Sequence, residues 1–258
     1  MLAGLAGILL TATSTHAATI AITNEPGHTG FGTGGSNIEG GGARSTHTIT
    51  NFALNGGNAV VVFFGAEGPN NGSVSLSATY GGQAMTVVQT VGTVDTTDRW
   101  QASLAYIINP LVSTGDIVAN WVSSSESIIE AIALSNVGGV AGSISADNGN
   151  TLNLNYTTSF EGGFVVGAGV NNASSGTAGP NNTGNNLDSI LFEGVVSGNF
   201  GTIFAYGDAF NAGTYTDTIG GTPNIESGAL IAFNSIPEPS AALLGAIGSL
   251  LLLRRRRN

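Results

Sequence analysis

Polar and apolar residues alternate one by one in several short segments of the chain. In Ser73–Tyr80 every odd position is serine or threonine and every even position is apolar or tyrosine, and Thr151–Tyr156 repeats the alternation. A period of two places one set of side chains on each face of a β-strand. Ala59–Phe64 is apolar throughout, which is typical of a strand covered on both faces. The pattern therefore predicts half-buried strands and at least one fully buried strand.

Turn-forming residues separate these segments at short intervals. Signals rich in Asn, Gly and Pro stand at 55–57, 81–82, 109–110, 147–149 and 181–184. Between the two chain ends, no window of about twelve residues keeps a helical period. Short strands joined by such turns favour an all-β fold, and we predict a single two-sheet β-sandwich of the jelly-roll type over residues 18–235. Further strands are predicted at 18–23, 46–54, 84–91, 100–108, 116–122, 127–135, 163–170, 200–207 and 227–233.

The composition excludes several kinds of chemistry. The 258 residues include forty glycines but no lysine and no cysteine. The lack of cysteine excludes thiol catalysis, cysteine-ligated zinc and disulfides, so burial in a core has to stabilise the fold. Residues 18–236 carry fifteen acidic side chains against only two arginines. A body this acidic is repelled by nucleic acid and by anionic lipid, and we expect neither as a partner.

The N-terminal segment has the pattern of a signal peptide. Leu2–Leu10 is an apolar run, and small residues at Thr15 and Ala17 suit cleavage after Ala17. No Lys or Arg precedes the apolar run, so the alternative is a buried N-terminal strand or helix. We predict a signal peptide over residues 1–17, and therefore export.

The C-terminal segment carries three features in order. Pro237, Glu238 and Pro239 are followed by Ser240–Leu253, which has no charge, and then by four arginines. Fourteen helical residues span about 21 Å, which is short of the roughly 30 Å hydrocarbon core. Such a short transmembrane helix suits a transient anchor better than a permanent one, and the arginines would hold its end on the cytoplasmic side. These are Arg254, Arg255, Arg256 and Arg257.

Residues 236–258 resemble a PEP-CTERM sorting tail in the order of motif, short apolar helix and arginine cluster. The resemblance implies a transient partner, an exosortase-type membrane protease of exopolysaccharide-producing bacteria. It also implies cleavage near Pro237–Pro239 and release to the cell surface or the extracellular matrix. The alternative is an ordinary tail anchor.

A second resemblance covers much of the body. Tyr80–Val88, Tyr106–Pro110 with Gly115–Trp121, and Gly228–Phe233 resemble segments of an uncharacterised family of secreted bacterial β-sandwich domains of jelly-roll or lectin-like type. The resemblance implies a fold and export, and it implies no active site.

Motifs for catalysis are weak in this sequence. Gly30–Gly35 satisfies the GxGxxG pattern, but the glycines that follow cannot begin the helix that a dinucleotide site needs. After loss of the signal peptide only His28 and His47 remain, and no Gly-x-Ser-x-Gly elbow accompanies them. We expect both histidines to face solvent, no cofactor and no catalytic residue.

Acidic residues offer one weak metal prediction. Fifteen carboxylates are scattered singly, so the sequence selects no glycosidase pair. Asp95, Asp98 and Asp147 stand in predicted loops, where carboxylate and carbonyl oxygens suit a structural calcium ion. Neither the segment with Asp95 and Asp98 nor the segment with Asp147 has the ligand spacing of a known calcium loop.

The strand period bears on the orientation of three further side chains. Trp100 alternates with Ala102 and Leu104, and Trp121 with Ile117 and Ala119, so both tryptophans are predicted in the core. Glu130 alternates with apolar residues. It is expected either to face inward and pair with Arg44 or Arg99, or to lie on an outer face.

Three functions remain open at this stage. The leading hypothesis is a non-enzymatic surface or matrix protein associated with exopolysaccharide. The second is a carbohydrate-binding, lectin-like module, which needs an exposed aromatic row or a calcium loop. The third is a secreted hydrolase, which needs two carboxylates in a cleft or a serine close to His28 or His47.

Overall fold

The computed structural model describes residues 17–24, 38–40, 44–68, 76–89, 99–124, 126–147, 151–172, 186–187, 189–195, 200–220 and 227–237. Within them the regular elements are all strands, which confirms the all-β prediction. In chain order the strands are β1 (Ala21–Asn24), β2 (Ile38–Gly40), β3 (Arg44–Ala53), β4 (Ala59–Gly68), β5 (Ser77–Tyr80), β6 (Gln83–Ala84), β7 (Thr86–Val88), β8 (Arg99–Ile108), β9 (Thr114–Ser124), β10 (Glu126–Ser135), β11 (Val137–Asp147), β12 (Thr151–Thr158), β13 (Gly163–Asn172), β14 (Ser189–Val195), β15 (Phe200–Phe210), β16 (Gly213–Gly220) and β17 (Ser227–Ser235).

The strands form four antiparallel sheets, where the sequence pattern predicted two. The first outer sheet has the order β3-β9-β5-β6, and the first inner sheet has the order β1-β10-β4-β8-β7 with β2 beside β10. The second inner sheet has the order β11-β17-β13-β15-β14, and the second outer sheet is the pair β12-β16. The alternation along a strand indicates which of its faces are buried, but it does not indicate how many sheets pack against those faces.

Three apolar cores separate the four sheets. The first core lies between the first outer and first inner sheets, the second between the two inner sheets, and the third between the second inner and second outer sheets. On β4, Val61 and Phe63 face the second core, while Val62 and Phe64 face the first. The prediction that Ala59–Phe64 is covered on both faces is therefore confirmed. Burial of apolar area on both faces of the inner sheets is the main term that stabilises the fold.

Pairing between strands follows a nested order in both halves of the chain. In the first half β2 pairs with β10, β3 with β9, and β4 with β8. In the second half β11 pairs with β17, β12 with β16, and β13 with β15. Each half is thus a long hairpin folded over on itself.

Two of the predicted turns have the backbone that the sequence requires. Asn55 and Gly56 both have positive φ, and the Gly57 N–H donates to the Leu54 carbonyl oxygen at 2.8 Å. Gly81 and Gly82 also have positive φ and join β5 to β6. Both are turns of the type that favours Asn and Gly in tight hairpins.

Candidate functional site

The two ends of the described body meet in one place. Ala17 and Pro237 form an antiparallel bridge. The Ala18 N–H donates to the Ile236 carbonyl oxygen at 3.3 Å, and the Ile236 N–H donates to the Asn136 carbonyl oxygen at 2.9 Å. We call this arrangement the end junction. It joins the predicted signal-cleavage site to the first residue of the predicted sorting motif.

The segment 17–20 is fixed to the body along its whole length. The Asn136 side-chain amide donates to the Thr19 carbonyl oxygen at 2.9 Å, and the Ile20 N–H donates to the Gly162 carbonyl oxygen at 3.2 Å. The Ile20 side chain is buried in the second core. We call residues 17–20 the strap, because they are held by residues far along the chain.

A glycine lies directly beneath the strap. Gly162 has φ +77°, and a Cβ atom built there would stand 2.7 Å from the Thr19 Cα atom. Glycine is therefore required at this position for two reasons, the left-handed backbone and the close approach of a second chain segment. No pattern in the sequence indicates this contact, because the two segments are far apart in the chain.

The two sides of the end junction differ in exposure. Ala17 is only 9% exposed, whereas Ile236 is 43% exposed and Pro237 is also exposed. On the N-terminal side Ala17 is therefore buried, whereas Ile236 and Pro237 on the C-terminal side face solvent.

Most of the other predicted site residues cannot be compared with the structure. Residues 1–16, Glu238, Pro239 and the four terminal arginines lie outside the described residues, as do His28, Asp95 and Asp98. Asp147 ends β11 opposite Ser227, and only its backbone is described. Among the described residues no group of three or more metal-ligating side chains is found. In the same part of the chain, no helix has the length and apolar character needed to cross a bilayer.

His47 corrects one prediction from the sequence. It was expected to face solvent, but it is only 1% exposed and lies in the first half of the sandwich between β3 and β10. Its Nε2 atom lies 3.0 Å from the Ser127 Oγ atom and 3.3 Å from the Ser127 carbonyl oxygen. The reason is the strand register, since His47 shares the inward face of β3 with Ile49 and leans against Trp121 at a ring distance of 5.1 Å.

The Ser127–His47 contact brings together the two residue types that the hydrolase hypothesis requires. Ser127 is 0% exposed, however, and Trp121 and its neighbours cover the histidine. A nucleophile has to reach its substrate, so a buried pair of this kind satisfies polar groups within the core rather than attacking a ligand. Sequence reasoning missed Ser127 because nothing marks it among the serines of 123–127.

The predictions for the tryptophans are confirmed. Trp100 is buried in the second core and Trp121 in the first. Neither can offer an exposed ring on which a sugar could stack.

Glu130 is buried and faces inward, so the outer-face alternative is wrong. It pairs in register with Phe63 and lies on the same face of β10 as Ile128 and Ile132, which line the second core. Its pairing with Arg44 or Arg99 stays a prediction.

A buried polar network lies between the second inner and second outer sheets. The Tyr156 hydroxyl donates to the Asp217 Oδ2 atom. The Asn186 backbone N–H donates to Asp217 Oδ1 at 2.8 Å, and its side-chain amide donates to both Tyr156 and Asp217 at 3.3 Å. Burial, followed by the hydrogen bond and charge of Asp217, raises the pKa of Tyr156 well above its usual value of 10.0. Tyr156 therefore stays protonated and holds the buried carboxylate in place.

The outer face of β12 and β16 is an uncharged polar ladder. Thr216 donates to the Asn155 side-chain oxygen at 2.6 Å, Thr218 donates to that of Asn153 at 2.7 Å, and the Thr157 and Thr214 hydroxyls lie 3.1 Å apart. We call these three cross-strand pairs the Asn/Thr ladder. Its side chains point away from the third core and present hydroxyl and amide groups to solvent.

Comparison with known proteins adds little to this geometry. No protein-family model matches the chain. No curated protein matches it either. Among solved structures, a chain described as Cucumber Leaf Spot Virus has 7% sequence identity and a TM-score of 0.19, over 93% of this chain and 99% of that chain. A similarity at that level carries no argument about fold or function.

Proposed function

We propose that this chain is an exported bacterial protein whose β-sandwich body is delivered to the cell surface or the extracellular matrix by a PEP-CTERM-type tail. The observation that carries the proposal is the end junction. The position where a signal peptide would be removed lies beside the first residue of the Pro-Glu-Pro motif. The N-terminus left by signal cleavage would therefore lie beside the point where the sorting tail leaves the body.

The finer fold belongs to the same proposal. Nested hairpin pairing in each half of the chain supports strands wound in the jelly-roll manner. Such a body needs no disulfide, since it buries apolar side chains on both faces of its inner sheets.

A non-enzymatic role associated with exopolysaccharide is the activity we assign to the released body. What supports it is the acidic, lysine-free surface and the burial of the described Ser127–His47 pair. The tail has one transient partner, an exosortase-type protease, and contacts the membrane only before processing. The metal prediction at Asp95, Asp98 and Asp147 stays a prediction.

The mass of the secreted protein tests this proposal. We expect a product that begins at Ala18 and ends within or next to Pro237–Pro239 in a host with exosortase. Without exosortase, the chain should keep its tail and stay with the membrane fraction. Intact-mass spectrometry of the two fractions distinguishes these products.

A matched pair of variants sharpens the test. Replacement of Arg254–Arg257 by serine is expected to disturb the orientation of the tail and reduce release several-fold. Asn258→Ser leaves the charges intact and should change nothing. A secreted product that retains every residue through Asn258 would contradict the proposal.

Carbohydrate binding is the second candidate, and the Asn/Thr ladder is the observation that favours it. Neutral polysaccharides are recognised by hydroxyl and amide groups that donate and accept hydrogen bonds. The ladder provides three such pairs in a row without a charged side chain. The two tryptophans are buried, so they do not supply an exposed aromatic row.

Affinity electrophoresis in gels that contain dextran, mannan or soluble cellulose derivatives tests the ladder. The variant Asn155→Ala with Thr216→Ala is expected to weaken binding by about tenfold, or about 1.4 kcal/mol. Asn120→Ala is the matched control, because the Thr46–Asn120 pair has the same chemistry at 2.8 Å on the first outer sheet. Equal loss in both variants, or no retardation by any of the gels, would rule the ladder out as the binding face.

A further inference from the structure

The strap is held by residues that are synthesised much later than the strap itself. Its hydrogen-bonding partners are Asn136, Gly162 and Ile236. The strap therefore cannot reach its folded position until nearly the whole body has been made and exported. Until then residues 17–20 remain part of an unfolded chain.

The bond between Ala17 and Ala18 lies inside this closed arrangement. Ala17 forms the bridge to Pro237, and the Ala18 N–H is already donated to the Ile236 carbonyl oxygen. A protease that binds its substrate as an added strand needs these same main-chain groups. In the folded body the Ala18 N–H is therefore already engaged, and the Ala17 side chain is almost covered.

Pro237 lies on the same bridge but faces solvent. Its neighbour Ile236 is also exposed, with 43% of its surface accessible. The chain that continues beyond Pro237 thus starts from an accessible position, in contrast to the buried Ala17.

We propose that the strap fixes the order of the two processing steps. The signal segment has to be removed before the strap closes, and the folded body then resists cleavage between Ala17 and Ala18 while Ile236 and Pro237, where the motif begins, stay accessible. This inference rests on the proposed function. The first step is a hydrolysis. One water molecule adds across the bond between Ala17 and Ala18, which gives a carboxylate at Ala17 and an ammonium group at Ala18.

The new ammonium group can still form a hydrogen bond in the end junction of the folded protein. It keeps N–H donors that can bond the Ile236 carbonyl oxygen, and a charged donor makes a stronger hydrogen bond than a neutral one. Timely cleavage therefore leaves the end junction closed at Ala18, although the bridge of Ala17 to Pro237 is lost.

The experiment uses the full chain in detergent micelles with purified signal peptidase as the probe. One sample is diluted from urea directly into the protease, and the other is first refolded. N-terminal mass analysis follows the appearance of chains that begin at Ala18. We expect the refolded sample to be cut at least tenfold more slowly than the freshly diluted one.

Two variants assign the resistance to the strap. Gly162→Ala places a Cβ atom against Thr19 and is expected to restore cleavage of the refolded chain. Gly82→Ala is the matched control, since Gly82 also has a positive φ of 80° but a Cβ atom there meets nothing within 4 Å. Asn136→Gly removes the amide that holds Thr19 and suits the positive φ of 59° at that position. Tryptophan fluorescence verifies that each variant is folded.

The outcomes separate the two proposals. Equal cleavage of the folded and freshly diluted wild-type chains overturns the ordering inference alone. Continued resistance of both folded strap variants overturns the role of the strap. If neither wild-type sample is cut after Ala17, the predicted signal site is wrong, and the proposed function fails together with the inference.

Discussion

Replacement of Phe63 or Phe204 by alanine is expected to lower the free energy of unfolding by about 3–5 kcal/mol. The two rings come from different inner sheets, both are fully buried, and their centroids lie 5.2 Å apart at an interplanar angle of 36°. Each truncation removes apolar contacts and leaves a cavity that close-packed neighbours fill only partly. Urea denaturation followed by circular dichroism measures the loss.

The double variant tests whether the rings stabilise each other. We expect the two effects to be non-additive by about 0.5–1.5 kcal/mol, as in other aromatic pairs. Tryptophan fluorescence adds a sharper comparison, because Trp100 and Trp121 lie on β8 and β9, whereas Phe204 lies on the second inner sheet. If the body is one cooperative unit, Phe204→Ala shifts the fluorescence transition as far as the circular-dichroism transition. A fluorescence midpoint that does not move would contradict the prediction of a single domain.

Stability is expected to fall steeply above pH 10. The pKa of Tyr156 is raised by burial and by Asp217, and burial also raises the pKa of Tyr80. The unfolded chain releases a tyrosine proton near pH 10, but the folded chain keeps it, so a rise in pH favours the unfolded state. Both contributions are complete below pH 10 and decline above it, and that of Tyr156 is lost by about 1.4 kcal/mol per pH unit.

Two conservative variants identify the tyrosines that make the stability fall above pH 10. Tyr156→Phe should lower stability at pH 8 by about 1–2 kcal/mol, because it removes a hydrogen bond to a buried carboxylate. Between pH 10 and pH 12 it should also make the free energy of unfolding less dependent on pH, by the equivalent of one proton. Tyr80→Phe removes the hydroxyl that donates to the Phe52 carbonyl oxygen at 3.1 Å, and it should change the slope in the same direction. Urea titrations at several pH values measure both slopes, and an unchanged slope in the double variant would contradict the assignment.

The strands could be predicted from the sequence because their faces have a period of two. The alternation correctly placed Trp100 and Trp121 in the interior, and the apolar run at 59–64 correctly indicated a doubly covered strand. The sequence did not decide which way Glu130 faces. A carboxylate usually lies on the exposed face of a strand, but this one alternates with apolar residues.

The four-sheet arrangement and the polar contacts could not be predicted, because they depend on pairings between distant parts of the chain. His47 meets Ser127 eighty residues later, and no local pattern joins the two positions. The end junction is a still longer pairing. Asp217 is a different case, since it shares a face of β16 with Tyr215 and Ile219 while Thr216 and Thr218 alternate with it. That signal was present, but the general preference of aspartate for solvent hid it.

The nested hairpins also determine how fast the protein folds. Pairings such as β3 with β9 and β11 with β17 join segments that are far apart in sequence, which gives the fold a high contact order. Domains dominated by such pairings fold on a timescale of roughly milliseconds to seconds, far slower than helical bundles. We therefore expect the newly made chain to lack its native strand pairings during that time, which suits the export proposed above, because an unfolded chain can be threaded through a secretion pore.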